Sequence, residues 1–423
     1  MDSSSEASPR HILVVVGASL STFCSVGFLN AFGIFQEYYG RTFLRDKSEF
    51  DIAWIGSFAA FGIFGFAAPA GFLTDKLGPR IPILFGGACT IVAVFMISLC
   101  TEYYQFFLAQ GLLISFGNSF LVIAPTTTIT RVFVKNRGLA SGIAIAGSSL
   151  GGLIWPIMMN QLLNHDGVSF GWTLRVVGFM ETGILAVIYA CFIKPPTAPP
   201  DTEGASSTGG KEQTEQVKTE QTEEKQKPKK DFSSLTKPAY IFFCCGLAVG
   251  YFGMFVPFFF VSTYAVSLGM SSSLGFYLVS IVNAASLVGR ILPGFIADRY
   301  GHFNILFMSM LFAGIICMCW TAAESAAGVI VWVLAYGFAS GNMMASQLAC
   351  ASDITPTEIH GAAIGVALCS VSLTGLFGTP IAGQLINYGY VALSMWGGAT
   401  LLAGAAFILL SRLQVNKNVL AKA

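Results

Sequence analysis

Two ionisable residues stand deep inside apolar runs of this 423-residue chain, and both are of types that do chemistry. Arg290 sits in "NAASLVGRILPGF". An arginine does not give up its proton, so a buried one needs an anion or strong acceptors beside it. Glu181 lies well within another such run and is a natural proton carrier. Each also has a static alternative: Arg290 held by backbone carbonyls and Glu181, and Glu181 held by Arg175. Ionisable groups in such surroundings are costly and mark functional sites by default. The neutral polar residues Asn30, Asn118, Asn283, Asn342 and Gln347 occupy similar runs. They could line a cavity or hydrogen-bond from one helix to the next. This is the chemistry of recognition and proton movement rather than of bond making. No nucleophile–base arrangement or metal-ligand cluster stands out, and the glycine-rich stretches lack the Gly-Lys-Ser/Thr ending of a nucleotide loop. An enzyme or an ATP-driven pump is disfavoured, and no cofactor is expected.

The elements that must carry these residues are set by composition. The chain is 54% hydrophobic and 11% charged, with 37 phenylalanines and 46 glycines, whereas ordinary soluble domains are about 25% charged. A helix needs roughly 20 apolar residues to cross a bilayer. Such spans fall near 12–36, 52–74, 81–100, 105–130, 138–163 and 171–193, then 238–266, 274–297, 303–320, 327–352, 359–386 and 390–411. The fold class is therefore an all-α integral membrane protein of twelve transmembrane helices, in bundles 12–193 and 238–411. Barrel strands are excluded by the length of the runs and the lack of period-two alternation. Residues 194–237 hold 8 of the 23 Lys+Arg and 8 of the 22 Asp+Glu with few apolar side chains, the composition of a disordered linker. Residues 1–11 and 412–423 are expected to be tails. Ten cations in short loops and tails on one side, against Arg41, Arg45 and Lys47 on the other, place both termini in the cytosol. The ten cysteines lie in or beside apolar spans and read as small packing residues. A net charge of +1 implies no polyanionic partner, and no nucleic acid is expected.

The scarce charges also recur. "GFLTDKLGPR" at 71–80 and "GFIADRYGHF" at 294–303 share Gly71/Gly294, Asp75/Asp298, Lys76/Arg299 and Gly78/Gly301, each pair 223 positions apart. "GLASGIAIAG" at 138–147 and "GAAIGVALCS" at 361–370 repeat at the same offset, and Pro156 and Pro380 differ by 224. Two parallel six-helix repeats place a binding site between them at mid-membrane, with the halves rocking about it. In that arrangement Gly71 and Gly294 let helices approach closely. Asp75 and Asp298 accept hydrogen bonds from the positive N-terminus of an adjacent helix and pair with Lys76, Arg80 or Arg299. These contacts, with Gly78 and Gly301, would form a conformational gate.

The first of these motifs is similar to the signature loop between helices 2 and 3 of the major facilitator superfamily, and the second sits where that family has its degenerate copy. The likeness covers all twelve spans. Within it, "GFLNAFGIFQEYY", "WIGSFAAF", "RGLASGIAIAGSSLGG" and "NAASLVGRILPGFIADRYGHFN" resemble the fungal branch of the monocarboxylate porter family. The resemblance implies a secondary transporter of small carboxylates or other metabolites, and places Arg290 at the family's substrate-carboxylate arginine. Two departures follow from the same alignment: the helix-1 lysine of animal members is Asn30 here, and their helix-8 aspartate is Ser286. Proton–lactate symport of the animal type is thus not expected, and a larger, less charged substrate is. "AGSSLGG" in the fifth span resembles a stretch of drug/proton antiporters, with Ser148 in place of the proline. Gly147 and Gly151 there read more simply as a close-packing face.

The reading is thus a secondary transporter exporting a small organic metabolite, carboxylate or amphiphilic, by alternating access. Substrate contacts are expected from Arg290, Asn30, Asn283, Asn118 and Gln347, and proton coupling from Glu181. Uptake of a monocarboxylate or of a vitamin such as riboflavin is the alternative, and a non-transporting membrane nutrient sensor is the alternative of another class. The expected location is the plasma membrane, or else a vacuolar or other internal one, with the bilayer, a small-molecule substrate and protons as partners and the chain a monomer.

Overall fold

The computed structural model describes residues 8–196 and 232–418, and all regular structure among them is helical. In hydrocarbon a helix satisfies its backbone groups internally, and the expected spans appear as twelve helices. The first half contains α1 (Pro9–Arg41), α2 (Asp51–Leu77), α3 (Arg80–Ile97), α4 (Tyr103–Val132), α5 (Arg137–Leu163) and α6 (Phe170–Cys191). The second contains α7 (Pro238–Ser267), α8 (Ser272–Tyr300), α9 (His302–Met318), α10 (Ala326–Asp353), α11 (Thr357–Ile386) and α12 (Tyr390–Val415). Among the described residues eleven helices are long and apolar enough to span a membrane, and α9 is a shorter apolar helix of 17 residues. Several run past the apolar stretch that announced them, because a helix need not stop where hydrocarbon stops. α1 extends to Arg41 and α10 to Asp353.

Close approach through small residues holds each half. A Cβ on Gly151 would lie 2.5 Å from the Phe23 carbonyl, and one on Gly147 would run into that of Ser19, so the "AGSSLGG" face packs α5 on α1. The equivalent role in the second half falls to Gly246 and Gly404, where α7 meets α12. Large apolar side chains such as Leu84, Phe179 and Val331 lie on the outside, as a lipid-facing surface requires. The halves meet along two seams, α2 against α11 and α5 against α8. These four helices carry the repeated motifs.

Several helices depart from regularity, α2 at Phe66 and α5 in a π-helical segment from Gln161 among them. α1 is interrupted at Ser25 (φ −88°, ψ −81°) and again at Asn30 and Ala31, and α7 is interrupted at Phe255, two residues before Pro257. α4 contains a π-helical segment, Phe107–Leu113. Irregular backbone at this depth is tolerated where it lines a cavity or is buried in protein. Two boundaries differ from expectation. The greater part of the expected linker, 197–231, lies outside the described residues, as do 1–7 and 419–423. Its last residues, however, form a 3₁₀ turn, Ser233–Thr236, with Ser234 buried. Arg412, expected in a tail, is 1% exposed: α12 carries it to Asn304 Oδ1 (2.8 Å) and to the carbonyls of Asn416 and Asn418.

Candidate functional site: a duplicated gate and the seam behind it

The repeated motifs come together at the end of the bundle where α1 begins and α12 ends. α2 and α8 each end in a glycine with positive φ, Gly78 at 77° and Gly301 at 97°, a backbone that side chains with a Cβ rarely adopt. One turn earlier each carries its aspartate. Asp75 accepts from the backbone N–H groups of Gly361 (2.8 Å) and Ala362 (2.7 Å), at the start of α11. Asp298 accepts from those of Gly138 (2.6 Å) and Leu139 (2.9 Å), at the start of α5. The donors are themselves 223 positions apart, so one arrangement occurs twice. Each aspartate reaches into the opposite half. First-turn N–H groups lack intrahelical partners and carry the positive end of the helix dipole, so they suit a carboxylate.

The cations at these aspartates are not the neighbours expected from sequence. Arg131 at the end of α4 pairs with Asp75 and also reaches the Glu358 carbonyl at 3.4 Å. His302 faces Asp298 (3.1 Å) and Asp353 (2.6 Å), and Arg137 bonds Asp353 across the seam at 2.8 Å. Lys76 is exposed, Arg80 donates to the Phe192 carbonyl (3.2 Å), and Arg299 lies over the Phe295 ring. The geometric reason is direction: side chains next in sequence to a helix-terminal aspartate point away from the seam, while Arg131 and Asp353 close, and Arg137 opens, helices that converge on it. A charge-assisted hydrogen bond contributes about 1.5–3 kcal/mol, and two conformations of a switching protein differ by a few kcal/mol. One aspartate therefore suffices to shift the balance. Asp75→Asn is expected to slow turnover roughly tenfold while leaving substrate affinity nearly unchanged. Steady-state flux against substrate concentration measures this, and a defect confined to affinity overturns it.

Deeper in the α5–α8 seam than these aspartates, Arg290 is 2% exposed on α8 and points across the seam. It donates to the Ile145 carbonyl (2.9 Å) and to Ser148 Oγ on α5, and contacts Met344 Sδ at 3.5 Å. Among the described residues its Nε has no partner, and neither does Ser286 Oγ one turn away. The approach is possible because the facing residue is Gly142: a Cβ there would run into the Arg290 carbonyl. Asn30, at the second interruption of α1, and Asn283 on α8, which donates to the Val279 carbonyl (2.9 Å), both flank Gly152. A Cβ on Gly152 would lie 3.0 Å from Asn30 Nδ2 and 3.1 Å from Asn283 Oδ1. Asn30, Asn283 and Arg290 thus form a polar column between the halves.

The remaining candidates sit inside one half or the other. Asn118 accepts from Thr90 Oγ1 (3.0 Å) and reaches the Ser25 carbonyl (3.4 Å), although it also borders an apolar hollow with Phe28, Phe32 and Gln110. Gln347 accepts from Tyr251 (2.9 Å), and Asn342 bonds Ser309 and Ser346. Glu181 is fully buried in the first half and neither carboxylate oxygen has a partner among the described residues, so the static pairings with Arg175 and Arg290 are not formed. Arg175 stacks on Trp172 instead. Sequence reasoning missed Arg131, Arg137, Ser148, His302 and Asp353 as members of these networks. The repeat pointed at the start of α5, and Asp298 and His302 stand four positions apart, but the other side-chain pairings span 51 to 216 positions and leave no local pattern.

Comparison with known proteins completes these observations. The family model described as Major Facilitator Superfamily matches residues 14–379. The agnestins efflux protein AgnL12 of Paecilomyces divaricatus is 47% identical over 99% of this chain and 91% of its own length. The aspyridones efflux protein apdF of Emericella nidulans is 37% identical over 93% of this chain and 76% of its own. Among solved structures, the E. coli fucose:proton symporter FucP superposes with a TM-score of 0.71 at 16% identity, covering 96% of this chain and 99% of that one.

Proposed function

Because the chain belongs to the Major Facilitator Superfamily, and is a multi-pass membrane transporter rather than an enzyme, we propose that it exports a small organic metabolite, anionic or amphiphilic, by alternating access about the polar seam. The observation that carries this reading is Arg290: a buried cation that bridges the two halves and is left with an N–H unpartnered among the described residues. With the gate closed, α5 supplies its acceptors. When the halves tilt apart at that end, α5 and α8 separate and the guanidinium loses the Ile145 carbonyl and Ser148. An anionic group of the substrate then replaces them, while Asn30 and Asn283 hydrogen-bond neutral parts of it. Asn118 and Gln347 act as supports behind that surface. The relatives named as efflux proteins favour export, and the likeness to the monocarboxylate branch favours a carboxylate or similar anion. The termini face the cytosol and the membrane is the plasma membrane, so the gate opens to load substrate from inside. The transporter works as a monomer.

Metabolite profiles of cells with and without the protein, inside against outside, test the direction and name the substrate. A compound depleted inside and enriched outside is the expected result. Accumulation inside overturns export in favour of uptake, and ligand binding without flux in liposomes turns the reading to a sensor.

Glu181 supplies the proton step. An unpaired carboxylate ion in its place would cost several kcal/mol, so binding and releasing a proton is the chemistry open to it. In vesicles, Glu181→Gln is expected to reduce gradient-driven transport at least about tenfold and leave substrate exchange without a gradient intact. Unaltered dependence on the imposed gradient removes Glu181 from the cycle.

A further inference from the structure

The two gates are copies in their aspartates and backbone donors but not in what surrounds them. His302 occupies the first position of α9, where the equivalent residue of the first half, 223 positions earlier, is Pro79. Its side chain is 9% exposed and both ring nitrogens face carboxylates: Nε2 lies 3.1 Å from Asp298 Oδ1 and Nδ1 lies 2.6 Å from Asp353 Oδ2. Asp298 already accepts two backbone N–H groups and Asp353 accepts from Arg137, so both act as acceptors. An imidazole donates from one nitrogen only, and an imidazolium from both. The geometry is therefore complete only when the ring carries a proton on each nitrogen. Both carboxylates that His302 ties together hold α5, one through the Gly138 and Leu139 amides and the other through Arg137. Among the described residues, other charged or titratable groups near this corner include the buried Cys350, one turn before Asp353 on α10, together with Arg299, Arg412 and His360. Arg299 lies over Phe295, Arg412 holds Asn304 and the chain after α12, and His360 of α11 faces Thr130 Oγ1 at 3.3 Å.

We propose that His302 is a proton-binding site through which the pH of the adjoining compartment sets how firmly the α5–α8 gate closes. This rests on the reading of these contacts as a gate that opens in the transport cycle. With the ring doubly protonated, Asp298 and Asp353 are held at the α5 N-terminus and the gate is tight. Loss of one proton removes one of the two ring donors and the charge between the carboxylates, so the gate loosens as pH rises. Acid on that side locks the transporter, and a rise in pH releases it to load. The α2–α11 gate, whose cation is Arg131, keeps its grip over the same range.

Amide hydrogen exchange of the full chain in nanodiscs tests this without knowledge of the substrate. The peptide covering 137–142 is followed from about pH 6 to about pH 10, corrected for intrinsic exchange, a range that brackets histidine titration. Wild type is expected to lose protection there about tenfold as pH rises, the effect of one charge-assisted contact. His302→Gln is expected to show low protection throughout, and His302→Arg, which keeps a permanent donor for both carboxylates, high protection throughout. A flat wild-type profile, or one shared by His302→Gln, overturns the proposal. Asp298→Asn separates the two readings. If it too leaves protection of 137–142 unchanged, the gate itself is refuted; if it lowers protection while the wild-type profile stays flat, only the histidine site is.

Discussion

Arg290→Ala is expected to reduce transport about a hundredfold or more, with normal expression and membrane insertion. Truncating one partner of a buried, hydrogen-bonded charge costs 2–5 kcal/mol or more, and each 1.4 kcal/mol is tenfold. The substitution removes two things at once, a link to α5 and the cation proposed to receive the substrate, and two further variants separate them. Ser148→Ala deletes one acceptor on α5 without touching the cation, and is expected to change flux no more than severalfold. Arg290→Lys keeps the charge but loses the planar fork that reaches Ile145 and Ser148 together. It is expected to weaken substrate affinity more than turnover. Flux in vesicles, measured with the compound identified from the metabolite profile, decides among them. Wild-type flux in Arg290→Ala removes Arg290 from the binding site. An equal defect in Ser148→Ala makes the residue a structural brace.

The twelve helices were legible because each must be apolar over a bilayer's thickness, a constraint that acts residue by residue along the chain. The two-fold design was legible because both copies kept the same glycines and aspartates at one offset. What the sequence did not reveal lies at right angles to the chain. Asp75 has Lys76 beside it and Arg80 one turn on, yet its cation is Arg131, brought there by the end of α4. Glu181 looked available to Arg175, six residues earlier, but Arg175 turns outward to Trp172 while Glu181 turns into the bundle. Of five polar candidates inside spans, Asn30 and Asn283 flank Gly152 at the seam, Asn283 also donating to the Val279 carbonyl of its own helix, whereas Asn118, Asn342 and Gln347 bond within their own halves. Polarity within an apolar run identified all five. Which way each faced depended on helix rotation and on breaks such as that at Asn30, which no hydropathy pattern encodes.

The same geometry makes the gate glycines more critical than the charges. A Cβ on Gly71 would run into the Gly361 carbonyl, one on Gly361 would meet Asp75 Oδ1, and one on Gly294 would lie 2.5 Å from the Gly138 carbonyl. The obstacle in the first and third cases is backbone at a helix start, which cannot turn aside as a flexible side chain can. Losing an aspartate weakens closure by a few kcal/mol, but a side chain at Gly71 or Gly294 forces the helices apart and deprives both carboxylate oxygens of their donors together. Gly71→Leu and Gly294→Leu are therefore each expected to abolish net transport, by about two orders of magnitude, with the protein held open at the end carrying the termini. Exchange at the Gly361 and Ala362 amides should rise at least about tenfold in the first variant, and at Gly138 and Leu139 in the second. Gly183→Leu is the control, since nothing lies within 4 Å of a Cβ there, and it should transport normally. Because the two seams are copies, the two variants should share one phenotype. Should Gly71→Leu close and transport normally while Gly294→Leu fails, the halves do not move as equivalent bodies and α5–α8 alone forms the barrier.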